Sequence, residues 1–215
     1  MNDMNMISCI IPAFNEQTTV ANVVRVALQT RGVDEVVVVN DHSTDTTALL
    51  ATNAGARVLN NTGERGKAQA MEYGVAHAKG DVILFLDADL VGLTPNHIQS
   101  LIELVCSDRA DMTIAIRDRG KIITELNKRL GPWIAGERCL KRSLWETVPQ
   151  EYKKGFMIEL ALNHAARQQR LRVCPVLLQY LTIRKKEQKM GLVKGLIARM
   201  KMIGDLIVIV SKLHF

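Results

Sequence analysis

The sequence is poor in aromatic residues and in cysteines, and this scarcity argues against several classes of protein. Aromatic side chains make up 4% of the 215 residues, too few for a nucleic-acid-binding surface built on base stacking. The four cysteines, Cys9, Cys106, Cys139 and Cys174, form no C-x-x-C pair. The sequence therefore predicts neither a zinc finger nor a disulfide scaffold, and we expect idle thiols in a reducing compartment.

Long apolar runs and the common nucleotide-binding fingerprints are also missing. No segment approaches the ~20 apolar residues that cross a bilayer. Residues 1–6 lack the basic start and apolar stretch of a secretory signal, so we expect a cytoplasmic protein. No G-x-G-x-x-G follows the first apolar run, and Gly63–Lys67 does not have P-loop spacing. Both facts disfavour a dehydrogenase and a P-loop NTPase.

Positive charge is concentrated near the carboxyl-terminal end. Residues 184–201 contain seven lysines or arginines and one glutamate, which accounts for the whole net charge of +6. Residues 191–213 place apolar side chains at helical spacing with basic ones opposite, a pattern that predicts an amphipathic helix. We divide the chain into one α/β domain, residues 1–181, and a basic tail, residues 182–215. The tail packs on the domain, on a second subunit of a homo-oligomer, or as a peripheral contact on an anionic membrane.

Apolar, β-branched runs alternate with stretches of helical periodicity in the first part of the chain. The runs are Ile7–Ile11, Val36–Val39, Val82–Leu86 and Met112–Ile116, and the helices between them include Thr44–Ala54 and Lys67–Ala78. This alternation predicts an α/β fold, a Rossmann-like, mainly parallel sheet with helices on both faces. After a mobile loop, 117–129, and an irregular shelf, 130–138, we expect a helix at Phe156–Gln169 and a last strand at Val173–Leu181.

Polar residues directly follow three of the apolar runs. They are Pro12–Glu16, Asn40–Asp45 and Asp87–Asp89. Carboxyl ends of parallel strands meet at one edge, so these clusters are expected to line one ligand-binding crevice, although Ser43–Asp45 also fits a helix cap. Carboxylates there suit Mg²⁺ or Mn²⁺, with phosphate oxygens completing the shell. Because Asp87 and Asp89 point to opposite sides of an extended segment, one of them is expected to meet the ion directly.

These clusters, together with Gly63–Lys67, resemble in their order the family 2 glycosyltransferases, which have the GT-A fold. The polyprenyl-phosphate sugar transferases and the glucosyl-phosphoglycerate synthases are the most similar groups, and the resemblance covers about residues 7–166. It implies metal-dependent transfer of a sugar from a nucleotide diphosphate sugar to a polyprenyl phosphate, a phosphorylated small molecule or a glycan. It also implies Mg²⁺ or Mn²⁺ as the cofactor.

The resemblance assigns roles to individual positions. The nucleotide-sugar site would comprise Pro12, Ala13, Glu16, Asp41, Lys67, Ala88 and Arg117, and the acceptor site Gly136, Glu137, Arg138 and Arg184, with Arg142 in the same stretch. Asp89 would bind the metal, and Asp87 would support both metal and sugar. Glu159 would deprotonate a hydroxyl acceptor, or it would only stabilise a helix N-terminus. For Arg117 and Arg184, a solvent-exposed position is the alternative.

Other functions remain open at the level of sequence. If the acceptor is a polyprenyl phosphate, with a second pKa of ~6, Glu159 would orient it without acting as a base. Asn40 replaces a frequent family aspartate, and no histidine lies between Pro175 and Met190. Both departures favour the rival interpretation, a catalytically weak nucleotide-sugar-binding or membrane-associating module. A nucleotidyltransferase ranks last, because the first strand lacks the glycine-rich, basic loop that such enzymes carry.

Overall fold

A seven-stranded sheet with helices on both faces carries the polar clusters. The computed structural model describes residues 6–117, 135–154 and 157–184. The strands are β1 (Ile7–Ala13), β2 (Glu35–Asn40), β3 (Arg57–Asn60), β4 (Val82–Phe85), β5 (Leu90–Val91), β6 (Met112–Arg117), β7 (Arg138–Lys141), β8 (Val173–Leu178) and β9 (Thr182–Ile183). The helices are α1 (Val20–Gln29), α2 (Thr47–Asn53), α3 (Lys67–His77), α4 (Pro95–Cys106), α5 (Arg142–Thr147) and α6 (Met157–Gln168), with a short 3-10 helix at Gln150–Tyr152.

The strand order is β3-β2-β1-β4-β7-β6-β8, and β5 and β9 form a separate two-stranded sheet. Within the large sheet every neighbouring pair is parallel except those that include β7, which runs antiparallel to β4 and to β6. The predicted mainly parallel α/β fold is thus confirmed.

Two apolar cores lie on opposite faces of the sheet. One contains side chains from α1, α2 and α4, and the other contains side chains from α3, α5 and α6. Strands covered on both faces need apolar side chains at every position, which explains the continuous runs of β2 and β4. Gly74 lets α3 approach β1, because a Cβ there would lie 2.5 Å from Cγ2 of Ile10.

Several elements differ from the expectations. The irregular shelf predicted for 130–138 gives way at Arg138 to β7, while β3 and α4 were not assigned from the sequence. β8 contains Pro175 because it is an edge strand, where a missing N–H is tolerated. The rest of the predicted loop and shelf, 118–134, and the predicted helix at 191–213 lie outside the described residues. Within the described ranges no helix is long and apolar enough to cross a membrane.

Arg142 closes the carboxyl-terminal end of α3. Its guanidinium donates to the carbonyl oxygens of Val75 at 2.9 Å, Ala78 at 2.9 Å and Gly80 at 2.7 Å. Helix C-termini leave carbonyls without partners, and these three bonds satisfy them. The sequence analysis placed Arg142 in the stretch that would bind the sugar acceptor. In the structure, its guanidinium instead donates hydrogen bonds at the end of α3.

Asp111 joins three strands at the amino-terminal edge of β6. Its carboxylate accepts hydrogen bonds from the backbone and side chain of Arg172 and from Nζ of Lys141, all between 2.9 and 3.1 Å. The bonds from Arg172, assisted by those from Lys141, hold the pKa of Asp111 well below its ordinary value. The ionised form is therefore favoured by folding.

Asp111→Asn is expected to lower the free energy of unfolding at pH 7 by about 1–3 kcal/mol. The pKa of Asp111 is depressed in the folded state, so its contribution is present above the unfolded pKa of ~3.9 and is lost as the pH falls below it. Urea unfolding at pH 7 and pH 3 should show the difference between variant and parent shrinking in acid. Glu146→Gln, at an exposed position, serves as the control, and an equal loss at both pH values would contradict the assignment.

Candidate active site

The carboxyl edge of the sheet brings together most of the residues that the sequence singled out. Asp41 follows β2, Asp87 and Asp89 follow β4, and Arg117 ends β6. Because β7 is antiparallel, the residues that precede it, including Glu137, lie at this same edge. One crevice therefore receives side chains from parallel and antiparallel strands.

Asp41 occupies one end of the crevice and is nearly buried, with 5% of its surface exposed. Its Oδ1 accepts a hydrogen bond from Nδ2 of Asn61 at 2.8 Å, and its Oδ2 accepts one from the backbone N–H of Gly66 at 2.9 Å. Asn61 also binds the carbonyl of Glu64 and the N–H of Gly63. The loop between β3 and α3 is thereby fixed to the end of β2.

The segment after β1 is tied to the segment after β2. The backbone N–H of Asn15 donates to Oγ of Ser43 at 3.0 Å, and Oδ1 of Asn15 accepts from the N–H of Thr44 at 2.9 Å. Glu16 donates its backbone N–H to Oγ1 of Thr47 at 2.8 Å. Pro12 and Ala13 pair with the end of β2 in the sheet ladder. These predicted nucleotide-site positions therefore share one connected rim with Asp41.

Phe14 and Arg65 form a contact across this rim that the sequence reasoning missed. The ring of Phe14 is 40% exposed, and the guanidinium carbon of Arg65 lies 4.8 Å from its centroid. Such a cation–π contact is typical of arginine over an aromatic face. The signal was available in the sequence, since Phe14 and Arg65 both lie within motifs that had been identified there.

Lys67 is the centre of a charged cluster at the other end of the crevice. As the first residue of α3 it places Nζ 2.8 Å from Oδ1 of Asp87 and 3.2 Å from Oε1 of Glu159. Burial alone would raise the pKa of Asp87, but the charge and hydrogen bond of Lys67 outweigh it and hold that pKa below its ordinary value. Burial would lower the pKa of Lys67, but the carboxylates of Asp87 and Glu159 raise it above its ordinary range.

Glu137 is completely buried beside this ion pair. Its Oε2 lies 3.7 Å from Nε of Arg117. Burial, assisted by the charge of Asp87, raises the pKa of Glu137 to about 7, although Arg117 and Lys67 oppose the shift. Its carboxyl group is also a hydrogen-bonding neighbour of Asp87, and this contact helps to lower the pKa of Asp87. A buried carboxyl with spare acceptor positions is suited to binding hydroxyl groups.

Gly136 and Arg138 flank Glu137 in different ways. The backbone of Gly136 approaches the ion pair so closely that a Cβ would lie 2.6 Å from both Nζ of Lys67 and Oδ1 of Asp87. Arg138 is 0% exposed, and its guanidinium donates to Ala135, Glu159 and Asn163. Gly136 therefore borders the site, whereas Arg138 is directed into the protein behind it.

Asp89 lies on the side of the crevice that faces the two-stranded sheet. It is half-buried, and its carbonyl accepts a hydrogen bond from the backbone N–H of Arg184 at 3.0 Å. The guanidinium of Arg184 reaches Oγ1 of Thr18. The structure thus places Arg184 beside Asp89 and the rim, and not beside Glu137. Ala88, between the two aspartates, is buried in the first core.

The carboxylates at this edge of the sheet can hold a divalent ion if other ligands complete its coordination shell. Among the described residues no three His, Cys, Asp or Glu side chains form a ready-made metal site. Mg²⁺ and Mn²⁺ bound with a diphosphate need only one or two protein carboxylates. Asp89, a half-buried carboxylate between β4 and β5, is consistent with that kind of site.

Comparison with known proteins identifies several relatives. The family model described as Glycosyl transferase family 2 matches residues 8–170. Glucosyl-3-phosphoglycerate synthase of Mycolicibacterium smegmatis is 33% identical over 105 residues, which cover 45% of this chain and 35% of that protein. A 4,4'-diaponeurosporenoate glycosyltransferase of Staphylococcus aureus is 35% identical over 101 residues, 45% of this chain and 27% of that protein. The matched segment thus spans about a third of these curated relatives.

Solved structures extend the similarity to most of the chain. Glucosyl-3-phosphoglycerate synthase from Mycobacterium tuberculosis, in complex with Mn²⁺, UDP-glucose and phosphoglyceric acid, matches with a TM-score of 0.71 and 26% identity. The match covers 84% of this chain and 72% of that one. The same enzyme with phosphoglyceric acid alone gives a TM-score of 0.72 at 26% identity, with the same coverage. The GT-A fold expected from the resemblance is confirmed.

Proposed function

Because this chain belongs to the family 2 glycosyltransferases, we propose that it transfers a sugar from a uridine diphosphate sugar to a hydroxyl-bearing, anionic acceptor. The observation that carries the proposal is the single crevice that contains Asp41 at one end and the Lys67–Asp87–Glu159 cluster at the other. A base, a diphosphate and a sugar are joined in that same order in a nucleotide diphosphate sugar.

Asp41 and the rim would bind the base. Each carboxylate oxygen of Asp41 already accepts one protein hydrogen bond and retains a second lone pair. The imide N–H of uracil is a donor that matches this acceptor. Phe14, with its exposed ring, offers a face on which the base can stack.

The diphosphate would lie between Asp41 and Lys67, with Mg²⁺ or Mn²⁺ held by Asp89 and supported by Asp87. The ion supplies Lewis-acid neutralisation of the charge that develops on the leaving diphosphate. Lys67 and Arg117 add positive charge from the protein side. The bond between the anomeric carbon and the diphosphate oxygen breaks, and its electron pair leaves with the diphosphate.

Glu137 and Glu159 would bind hydroxyl groups of the sugar or the acceptor. Glu159 is 1% exposed, and its Oε2 has no hydrogen-bond partner among the described residues. The acceptor oxygen would form the new bond to the anomeric carbon and give up its proton, which Glu159 would receive. The similarity to the glucosyl-3-phosphoglycerate synthases of M. smegmatis and M. tuberculosis supports an acceptor of the phosphoglycerate type.

A thermal-shift screen of UDP, GDP and dTDP, each with and without Mn²⁺, tests the proposal. A ligand that binds only the folded protein raises its melting temperature, so UDP with Mn²⁺ should give the largest shift. Release of UDP from UDP-glucose in the presence of phosphoglycerate should follow. Absence of any nucleotide shift would overturn the proposal, while binding without turnover would favour the catalytically weak binding module.

Asn40 no longer supports that rival by itself. Its Nδ2 donates to Oδ1 of Asn60 at 2.9 Å, and its Oδ1 accepts from the N–H of Ser43 at 3.2 Å. The amide therefore links β2, β3 and the rim, a task that an aspartate would perform less well because it lacks a donor. Peripheral membrane contact through residues 184–201, and assembly into a homo-oligomer, stay predictions.

A further inference from the structure

Arg138 is a cation that the sequence placed at the acceptor and that the structure buries completely. Burial lowers the pKa of its guanidinium from the ordinary value, and the carboxylates of Glu159 and Glu137 oppose the shift. An arginine in such a position is costly unless its donors are satisfied. The groups that accept hydrogen bonds from the guanidinium therefore indicate the role of Arg138.

The guanidinium joins the segment that leads into β7 to helix α6. Its Nη2 donates to the carbonyl of Ala135 at 2.6 Å, and its Nη1 lies 3.3 Å from the carbonyl of Glu159 and 3.4 Å from Oδ1 of Asn163. Ala135 immediately precedes Gly136, which borders the ion pair. Glu159 and Asn163 lie on successive turns of α6. The Arg138 side chain therefore links the residues just before β7 to this helix.

The sheet fixes Arg138 relative to the cluster. Arg138 pairs with Phe85 in the β4–β7 ladder, and Asp87 is two residues beyond Phe85. The guanidinium thus starts from the strand next to the one that Asp87 follows, and it reaches α6, whose Glu159 lies 3.2 Å from Lys67. Any shift of α6 changes that distance directly.

We infer that Arg138 is a positioning residue that sets Glu159 and Gly136 against the Lys67–Asp87 ion pair, and that it does not contact the acceptor. Its kinetic consequences rest on the proposed function, whereas its effect on α6 does not. Nη1 and Nη2 of the guanidinium serve three acceptors at once, which the single ammonium of lysine does not reproduce, while Nε has no hydrogen-bond partner among the described residues.

Hydrogen–deuterium exchange tests the placement without any need for activity. Arg138→Lys is expected to accelerate exchange about tenfold or more in the amino-terminal half of α6 and at 135–137, with β1 and α1 unchanged. Asn163→Ala, which removes one acceptor and leaves the arginine in place, should give a smaller change in the same segment. If exchange in α6 is unaltered in both variants, the inference is wrong, whatever the nucleotide screen shows.

Kinetics separate a positioning role from acceptor contact. Arg138→Lys should lower kcat about tenfold or more with an unchanged Kd for UDP. Combined with Glu159→Gln, it should cost little further, because it acts through Glu159. A raised KM for the acceptor with kcat unchanged would overturn the inference, as would strictly additive losses.

Arg142→Lys is the matched control. Arg142 also donates to three carbonyls, but it does so at the end of α3 and away from α6. Its replacement should lower stability and raise exchange near residues 75–80. Its effect should be additive with Glu159→Gln, because its three side-chain hydrogen bonds end on residues 75–80 and none of them reaches Glu159.

Discussion

Replacing Asp89 by alanine is expected to remove the Mn²⁺-dependent part of the thermal stabilisation by UDP and to lower sugar transfer by about 10²–10³-fold. Asp89 directly precedes β5, and its carbonyl oxygen accepts a hydrogen bond from the backbone N–H of Arg184. The diphosphate and the metal bind as a unit, so loss of the protein carboxylate leaves the ion with too few fixed ligands. The shift with UDP alone should persist, because Asp41 and the rim are unchanged.

Asp81→Ala provides the comparison for Asp89, since it removes an exposed aspartate just before the same strand. Its Mn²⁺-dependent shift should equal that of the parent protein. Retention of a full Mn²⁺-dependent shift in Asp89→Ala would assign the metal to other residues. Loss of the shift with UDP alone would show that the substitution had disturbed the base-binding rim.

Lys67→Met is expected to reduce turnover about 10²-fold and to lower the free energy of unfolding at pH 7 by about 1–3 kcal/mol. Removal of the ammonium leaves the carboxylates of Asp87 and Glu159 without their shared counter-charge. The expected loss is smaller than that for breaking a fully buried ion pair, because 26% of the Lys67 side chain and 22% of that of Asp87 are exposed to solvent, which screens their charges.

The loss of stability expected for Lys67→Met should depend on pH. The pKa of Lys67 is raised by folding, so its contribution to stability is complete below the unfolded pKa of ~10.4. The pKa of Asp87 is lowered by folding, so its contribution to stability is present above the unfolded pKa of ~3.9. The stability difference between Lys67→Met and its parent should therefore persist from pH 5 to 9 and shrink near pH 3. Lys79→Met, an exposed lysine just after α3, should show neither the loss of stability nor the loss of turnover.

The features of the fold that depend on periodicity were predictable. β1, β2 and β4 contain continuous β-branched runs because both faces are covered, and such runs are visible in the sequence. Asp41 and Asp87 were found for the same reason, since each directly follows one of these runs. Because these strands are parallel, the side chains of Asp41 and Asp87 reach a common edge of the sheet. This could be predicted without knowing any tertiary contact.

The features that depend on tertiary contacts were not predictable. β7 has only four residues, and two of them are charged, so neither its length nor its composition indicates a buried strand. The burial of Arg138 depends on three acceptors, two of which lie 21 and 25 residues away on α6. Asn61 was missed because a polar residue after a short edge strand looks like an ordinary turn, whereas its partner is a carboxylate twenty residues away.

The reversed direction of β7 has a consequence for how the acceptor end of the crevice can vary. β6 ends at this edge with Arg117, and β7 starts from the same edge after Gly136 and Glu137. β6 therefore ends and β7 begins at the same edge of the sheet, as antiparallel neighbours do. Substitutions of Arg117, Gly136 or Glu137 can therefore alter what meets an incoming molecule, because these residues lie outside the paired positions of β6 and β7.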